Sequence, residues 1–453
     1  MRTLIISDLH LGNGGDYDVF AGERELPALL DRFTSPPTRV LVNGDGVDFL
    51  MNEDQLELDV ARAMAQAKAC AESRATKAVL AAFGRVLAAG GQVVFRLGNH
   101  DVELALPEVQ GVFRSALGQP PAVAARLSFQ LGEAPDMLDV GGARILVTHG
   151  EHNDPWNIVH YKGLSSAGAA QRASFSYAPG SILVKQYLNP LTREFGLRFA
   201  NLLKPDFQGA TLTALAVAPS AMKLLFQRSS ASLCWQLFRK MSGPAAFAEQ
   251  EDLGLADRVA DAGLTPEEQE AVEALVGDGA AAFSDDEDDD GVLGRARLKL
   301  GRAGLKLYAR LQRKLTGKTG DAYFELEPDE AEWKEVKRLA AKFGASAVIL
   351  GHTHAARWKH EGGLLFANTG TWIWLMQLPP FDAGDDVWAE FLAEVKSNPR
   401  LAPERQRRAR LISRFTAVSV DEAPGGGAAV ALLECDGASG IRTLGEARVP
   451  AAS

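Results

Sequence analysis

Cysteine is nearly absent. The 453-residue chain has three, Cys70, Cys234 and Cys435, far apart and odd in number. They offer neither a disulfide framework nor a CxxC metal signature, and they suit a reducing compartment. Long apolar runs are missing too. The longest uncharged apolar stretch, Phe207 to Met222, covers 16 residues and contains Pro219, which is short for a membrane span. Residues 1–12 lack the apolar segment of a secretory signal. The expectation is a cytoplasmic protein with no transmembrane helix. Positive charge is not in excess either. The net charge is −10, whereas a general nucleic-acid binder is basic, so no nucleic-acid partner is expected. Six of the acidic residues form one run, Asp285 to Asp290 (DDEDDD), so the rest of the chain is only mildly acidic. Hydrophobic residues make up 46% of the chain, enough for a large packed core, and the length suits two or three domains.

Histidine is also scarce, yet it is placed in a pattern. Of eight histidines, five (His10, His100, His149, His352 and His354) fall at the ends of short apolar, β-branched runs. LIISDLHLG ends a strand-like run with Asp8 and His10. In an extended chain, residues i and i+2 point to the same side, so these two converge. TRVLVNGDGVD places Asp45 after Val40–Asn43, and GQVVFRLGNHD places Asn99 and His100 after Val93–Leu97. GARILVTHGEHND places His149 after Ile145–Val147, and ASAVILGHTHAA places His352 and His354 after Ala347–Leu350. A lone histidine at a strand end is more often a satisfied structural residue than a ligand. Five such strand ends together are different, because a parallel-type sheet gathers its strand ends along one edge. Carboxylates, an amide and imidazoles crowded there would be costly to desolvate without cations. A metal centre satisfies them, and the N and O donor mix suits Mn, Fe, Zn or a similar divalent ion. Seven donors suit two ions that share a bridging carboxylate.

DLH, GDGVD, GNHD, THG and GHTH, in that order, resemble the five blocks of the calcineurin-like metallophosphoesterase superfamily. The resemblance covers residues 1 to about 155 and about 345 to 375. It implies an α/β fold, a four-layer α/β/β/α sandwich, and two divalent metal ions with manganese first among the candidates. It implies that Asp8, His10 and His354 hold the first ion, that Asp45 bridges, and that Asn99, His149 and His352 complete the second. It also implies hydrolysis of a phosphate ester or phosphoanhydride by a metal-activated hydroxide. In that scheme His100 meets the phosphate or protonates the leaving group, and Asp101 orients His100. Asp48 is likewise a candidate for supporting the site, and for both Asp48 and Asp101 a turn-stabilising role is the bland alternative. His152, Asp154 and Asn157 either line the pocket or stabilise the Asp-Pro turn, the turn being favoured. Asn368 follows another strand, Leu364–Ala367, and the TGT backbone is expected to pass near the site.

His149 and His352 are 203 residues apart, far more than a strand-helix-strand connection needs. The expected organisation is a core over residues 1–159, a mostly helical cap insertion over 160–332 with an acidic loop at 284–291, and the second part of the core over 333–453. SILVKQYL, TREFGLRFANLL, TLTALAVAPSAMKLLF and SLCWQLFRKM look helical, and LTPEEQEAVEALVG carries a capping signature at Thr265, Pro266 and Glu268. In the stretch 294–318, leucines recur at helical spacing among arginines and lysines. This is either a basic amphipathic helix for an anionic membrane, which would put the protein at the membrane periphery, or a cap helix with a solvated basic face. An apolar helical cap and ISDLHLG are similar to UDP-diacylglucosamine pyrophosphohydrolases, which implies a lipid-linked substrate beside the alternative of a phosphorylated small molecule. That branch has Arg where this chain has His100, and a shorter chain. The strand pair around the Gly-rich turn in TAVSVDEAPGGGAAVALLECDG is expected to extend the second sheet. Two other readings compete with the enzyme: a non-catalytic metal-binding scaffold whose cap binds a membrane or partner, and a nuclease. The filled ligand positions disfavour the first and the acidic balance the second.

Overall fold

The structure is a computed structural model that describes residues 2–154, 156–167, 175–198, 213, 217, 324–379, 383–398, 410–436 and 440–451. The acidic loop 284–291, the basic stretch 294–318, the capping signature at Thr265 and the helical readings from 199 to 323, apart from Thr213 and Val217, lie outside these residues.

Two sheets dominate. The first has seven strands in the order β14-β13-β12-β1-β2-β3-β4. These are β1 (Arg2–Ile6), β2 (Thr38–Asn43), β3 (Gln92–Arg96), β4 (Leu127–Gln130), β12 (Phe415–Glu422), β13 (Ala428–Asp436) and β14 (Gly440–Val449). The second has five strands in the order β5-β6-β7-β9-β8: β5 (Asp136–Val140), β6 (Ala143–Val147), β7 (Ala347–Leu350), β8 (Ala356–Glu361) and β9 (Leu364–Thr369). β1, β2, β3 and β4 run parallel, as do β6, β7 and β9. Their carboxyl ends therefore gather along one edge of each sheet.

Alternation along the strands builds the layers. Leu4 and Ile6, Val40 and Val42, and Val93 and Phe95 pack against helices α1 (Glu25–Arg32), α2 (Val60–Glu72), α3 (Arg74–Ala88) and α4 (Pro107–Ala116). The residues between them, Ile5, Leu41 and Val94, face Ile145, Val147, Ala347, Ile349, Leu365 and Ala367 of the other sheet. On that sheet's far face, Leu146, Val348 and Phe366 pack against Trp333, Val336, Leu339 and Ala340 of the helix Glu330–Phe343. The result is helices, sheet, sheet, helix, which is the expected four-layer α/β/β/α order. Runs buried on both faces are apolar throughout, which is why they were legible as strands. The helices start where their sequence caps them. Asp59 accepts from the N–H of Arg62, Ser73 from that of Thr76, and Asp329 forms a reciprocal capping box with Glu332.

One expectation is corrected. The C-terminal pair β12–β13 extends the first sheet: β12 pairs antiparallel with β1 on the side away from β2. Period two announces a strand but not which open edge it will cover. One compact unit comprises Met1–Ile182, Phe324–Trp374 and Ser413–Ser453; a second comprises Leu183–Tyr323 and Leu375–Ile412. The core runs past residue 159 because Tyr161, Leu164 and Tyr177 are buried in it, with Tyr161 donating to Glu151 (2.6 Å) and Tyr177 to Glu103 (2.7 Å). In the second unit, β10 (Leu375–Gln377) and β11 (Arg410–Ile412) form an antiparallel pair. The helix Asp385–Ser397 there buries Trp388, Phe391, Leu392 and Val395, one apolar stripe at helical spacing. Among the described residues, no helix is long and apolar enough to cross a membrane.

Candidate metal centre

The loops that leave β1, β2, β3, β6 and β7 bring Asp8, His10, Asp45, Asn99, His149, His352 and His354 together. Three groups have ligand atoms within 4.8 Å of one another: Asp8, His10 and His354; Asp45, His149 and His352; and His10, Asp48 and His100. Asp8 and His10 do not converge through strand alternation, as expected from the sequence. β1 ends at Ile6, and both residues lie beyond it with φ of 51° and 49°. Asp45, His352 and His354 share that left-handed conformation, and these five are the non-glycine residues with positive φ among the described residues. Such backbone is sparsely populated outside glycine and is kept where surroundings over-determine it. The turn, not the pleat, aims these side chains.

In Asp8, His10, Asp45 and His149 one polar atom is occupied elsewhere in the protein and another faces a fellow candidate ligand. His10 places Nδ1 2.9 Å from Asp48 Oδ2 and Nε2 3.1 Å from His354 Nε2. His149 donates from Nδ1 to the Asn43 carbonyl at 2.8 Å. Its buried Nε2 is 3.4 Å from Asp45 Oδ2 and makes no hydrogen bond. Asp45 accepts the His100 N–H on Oδ1 at 2.9 Å. Asp8 accepts on Oδ2 from Ser7 Oγ and from the His352 N–H; its Oδ1 is buried without a hydrogen bond and 3.3 Å from His354 Nε2. Asn99 donates from its amide nitrogen to Asn157 Oδ1 at 3.2 Å, which leaves its Oδ1 buried and unbonded. His352 puts Nε2 3.2 Å from Asp154 Oδ2 and leaves Nδ1 buried and unbonded. Orphaned buried polar atoms are costly in a fold. Here they are a carboxylate oxygen, an amide oxygen and imidazole nitrogens, the donor set that divalent transition metals take. The residues fit two ions.

The electrostatics agree with a site built for cations. Burial pushes the Asp45 carboxyl up, but the positive charges of His149 and His100 outweigh it and hold Asp45 well below the usual carboxylate range. Asp8 is likewise lowered: burial is opposed by the His354 imidazole beside it and by the charge of His149. Burial alone would lower His149, yet the negative charges of Asp45 and Asp8 raise it to about 10. In the metal-free protein that imidazole therefore carries a proton.

His100 is buried beside the ligands, its ring 4.7 Å from that of His10 and edge-on to it. Asp101 does not orient it. The Asp101 carboxylate accepts from the N–H groups of Gly46 (2.7 Å) and Gly98 (2.6 Å), tying together the turns after β2 and β3. Burial, followed by the charge of Asp45, raises its pKa well above normal. Asp48 takes the orienting place instead, 3.2 Å from His100 Nδ1. The same carboxylate holds His10 and accepts from the N–H groups of Leu50 and Met51.

Asp154 and Asn157 serve the turn and also touch two of the candidate ligands. Asp154 accepts from the N–H of Trp156 and also touches His352, and Asn157 touches Asn99. Their nearness to His149 in the chain was the one signal available. Asn43 was missed: it accepts from His149 and donates to the Thr148 carbonyl at 2.8 Å, joining the ends of β2 and β6. Thr369, 2.5 Å from Ser7 Oγ, and Thr371, donating to the Asp8 carbonyl, bring the TGT backbone beside Asp8. Asn368 itself supports the turn, donating to the Gly351 carbonyl. His152, His160 and His360 join none of the three groups.

The family model for the calcineurin-like phosphoesterase matches residues 1–186. No curated protein matches the chain in sequence. Among solved structures, a dimetal phosphatase from Danio rerio aligns over 100% of this chain and 99% of its own at 9% identity. Its TM-score of 0.32 is too low to argue from.

Proposed function

We propose that the chain, whose residues 1–186 match the calcineurin-like phosphoesterase family model, is a metal-dependent phosphoester hydrolase that cleaves its substrate at a two-ion centre. In this reading Asp8, His10 and His354 hold one ion, Asn99, His149 and His352 the other, and Asp45 is shared. The observation that carries it is the set of unbonded buried donor atoms on Asp8, Asn99, His149 and His352. Two divalent ions bound there supply positive charge for a phosphoryl group and make water acidic enough to attack it near neutral pH. Manganese fits the mixed N and O donors.

The chain's own residues supply the rest. Asp48 sits against Nδ1 of His100, so a His100 ring protonated on both nitrogens would be held there by Asp48 and would deliver its Nε2 proton to the leaving oxygen, returning to the neutral imidazole. Asp101 fixes the two glycine turns that carry Asp45 and Asn99. The substrate class we infer is a lipid-linked phosphate ester or phosphoanhydride, at the cytoplasmic periphery of an anionic membrane. Support comes from the sequence inserted between His149 and His352, with its apolar segment 207–222 and basic, leucine-spaced stretch 294–318.

Hydrolysis of an aryl monoester, an aryl diester and a nucleoside-diphosphate-linked lipid, each with added manganese, tests this. Turnover is expected and should vanish in Asp45→Asn. Failure on all three with two ions bound would sink the catalytic reading. Turnover of the aryl esters with the lipid left intact would sink the lipid reading. Binding to anionic vesicles, lost on deletion of 294–318, tests the membrane contact.

A further inference from the structure

We propose that the turn Asp154–Asn157 positions the second ion's ligands, aiming one from each sheet. His352 comes from the loop after β7 and Asn99 from the loop after β3. The turn lies between them in one continuous chain of contacts. His352 Nε2 meets Asp154 Oδ2 (3.2 Å), the same oxygen accepts from Asn157 Nδ2 (2.6 Å), and Asn157 Oδ1 accepts from Asn99 Nδ2 (3.2 Å).

Each contact selects an atom. An imidazole and a primary amide can both be turned over in place, and each then offers a different atom to a cation. A ring whose Nε2–H is held by a carboxylate must present the lone pair of Nδ1. An amide whose nitrogen donates outward must present its oxygen, since an NH₂ group cannot ligate a cation. Those two atoms, His352 Nδ1 and Asn99 Oδ1, are the ones left buried and unbonded. A carboxylate that only stabilised its turn would need just the oxygen that accepts from the Trp156 N–H at 2.9 Å. Outer partners of this kind fix ring orientation and raise ligand basicity.

A further contact presses on the same turn. Gly180 donates its N–H to the Trp156 carbonyl at 2.7 Å, and Ser181 Oγ donates to the Asn99 carbonyl at 3.2 Å. A Cβ on Gly180 would lie 2.2 Å from Asn157 Oδ1, so no other residue fits without moving Asn157. The helix Pro179–Leu183 therefore seats against Asn157 and Asn99 just before the chain leaves for its long insertion.

The inference rests on the two-ion reading, and the test separates the two. Manganese alone is titrated by calorimetry into metal-free full-length protein, wild type and the variants Asp154→Asn, Asn157→Ala, Asn157→Asp and Gly180→Ala. Melting of each metal-free protein is recorded alongside. Wild type should take up two ions. Asp154→Asn keeps the turn's bond to Trp156 but loses the acceptor for His352. Asp154→Asn, Asn157→Ala and Gly180→Ala should each weaken the second ion about 10–100-fold and leave the first unchanged. Asn157→Asp keeps an acceptor for Asn99 but replaces the donor to Asp154 Oδ2 with a second carboxylate, so it too should weaken the second ion. Two unaltered affinities in Asp154→Asn and Asn157→Ala, with only a lower melting temperature, would reduce the turn to scaffolding and overturn the proposal. Equal weakening of both ions would overturn it too. Fewer than two ions in wild type would remove the two-ion reading itself.

Discussion

Asp48 serves two histidines with one carboxylate: His10, a candidate ligand, and His100, the proposed proton donor. That sharing separates the consequences of removing each. His100→Ala should keep its metal content while the rate falls about 10²–10⁴-fold, the usual contribution of a positioned acid; loss of metal in that variant would make His100 a ligand. Asp48→Asn should lower the rate and also weaken the first ion, because His10 loses the partner that orients it. His149 makes the second residue-scale case. Its pKa of about 10 in the metal-free site means that binding an ion expels a proton. A raised pKa favours the protonated, metal-free state below it, so apparent affinity must climb as pH rises towards that value. The expected slope is about tenfold per pH unit from this proton alone. Metal titrations at several pH values below 10 check it. A flat profile would mean that His149 is already neutral. The sequence pointed to the candidate ligands but not to their hydrogen-bond partners. Asp101 stood next to His100 and looked like its partner, whereas the partner came from Asp48, 52 positions away.

At the scale of the element, the turns that leave the strands do the aiming, and glycine makes them passable. Gly44 has φ of +90°, and a Cβ there would lie 2.3 Å from the His149 ring; a Cβ on Gly98 would lie 2.1 Å from Asp45 Oδ1. Gly98→Ala should therefore displace the shared carboxylate and cost both ions. Gly44→Ala should disturb His149 and the second ion first, with about 1–3 kcal/mol of backbone strain besides. Metal content and chemical denaturation of the two variants distinguish these outcomes. Intact two-ion binding in Gly98→Ala would mean that the turn relaxes without moving Asp45. The strands themselves were legible because Leu4–Ile6, Val40–Val42 and Val93–Phe95 are apolar on both faces. The left-handed backbone of Asp8, His10, Asp45, His352 and His354 was not, because residue identity alone does not set φ in a polar loop.

For the whole molecule, the legible part is the sandwich and the illegible part is the allocation of chain to it. β12 and β13 joined the first sheet, and Leu375–Ile412 grouped with the inserted segment; both depend on contacts between distant segments that no local pattern announces. The ligands cross the same long distances. Asp8, His10, Asp45 and Asn99 follow strands of the first sheet, and His149, His352 and His354 follow strands of the second. Metal-free, the two loop sets hold each other through a few contacts, such as Asn43 with His149 and Thr148, and His352 with Asp8. Ions bound across that edge act as cross-links that exist only in the folded state, so their binding free energy adds to stability by mass action. At a free manganese concentration about 100 times the dissociation constant, a single site contributes about 2.7 kcal/mol. Melting or denaturant curves should therefore shift upward with manganese and return on chelation. Asp45→Asn, which removes the shared ligand, should lose most of that shift while melting near the metal-free wild type. A variant that loses activity yet keeps the full shift would show that Asp45 serves chemistry without joining the ions, and that the two sheets are clamped by the remaining six ligands alone.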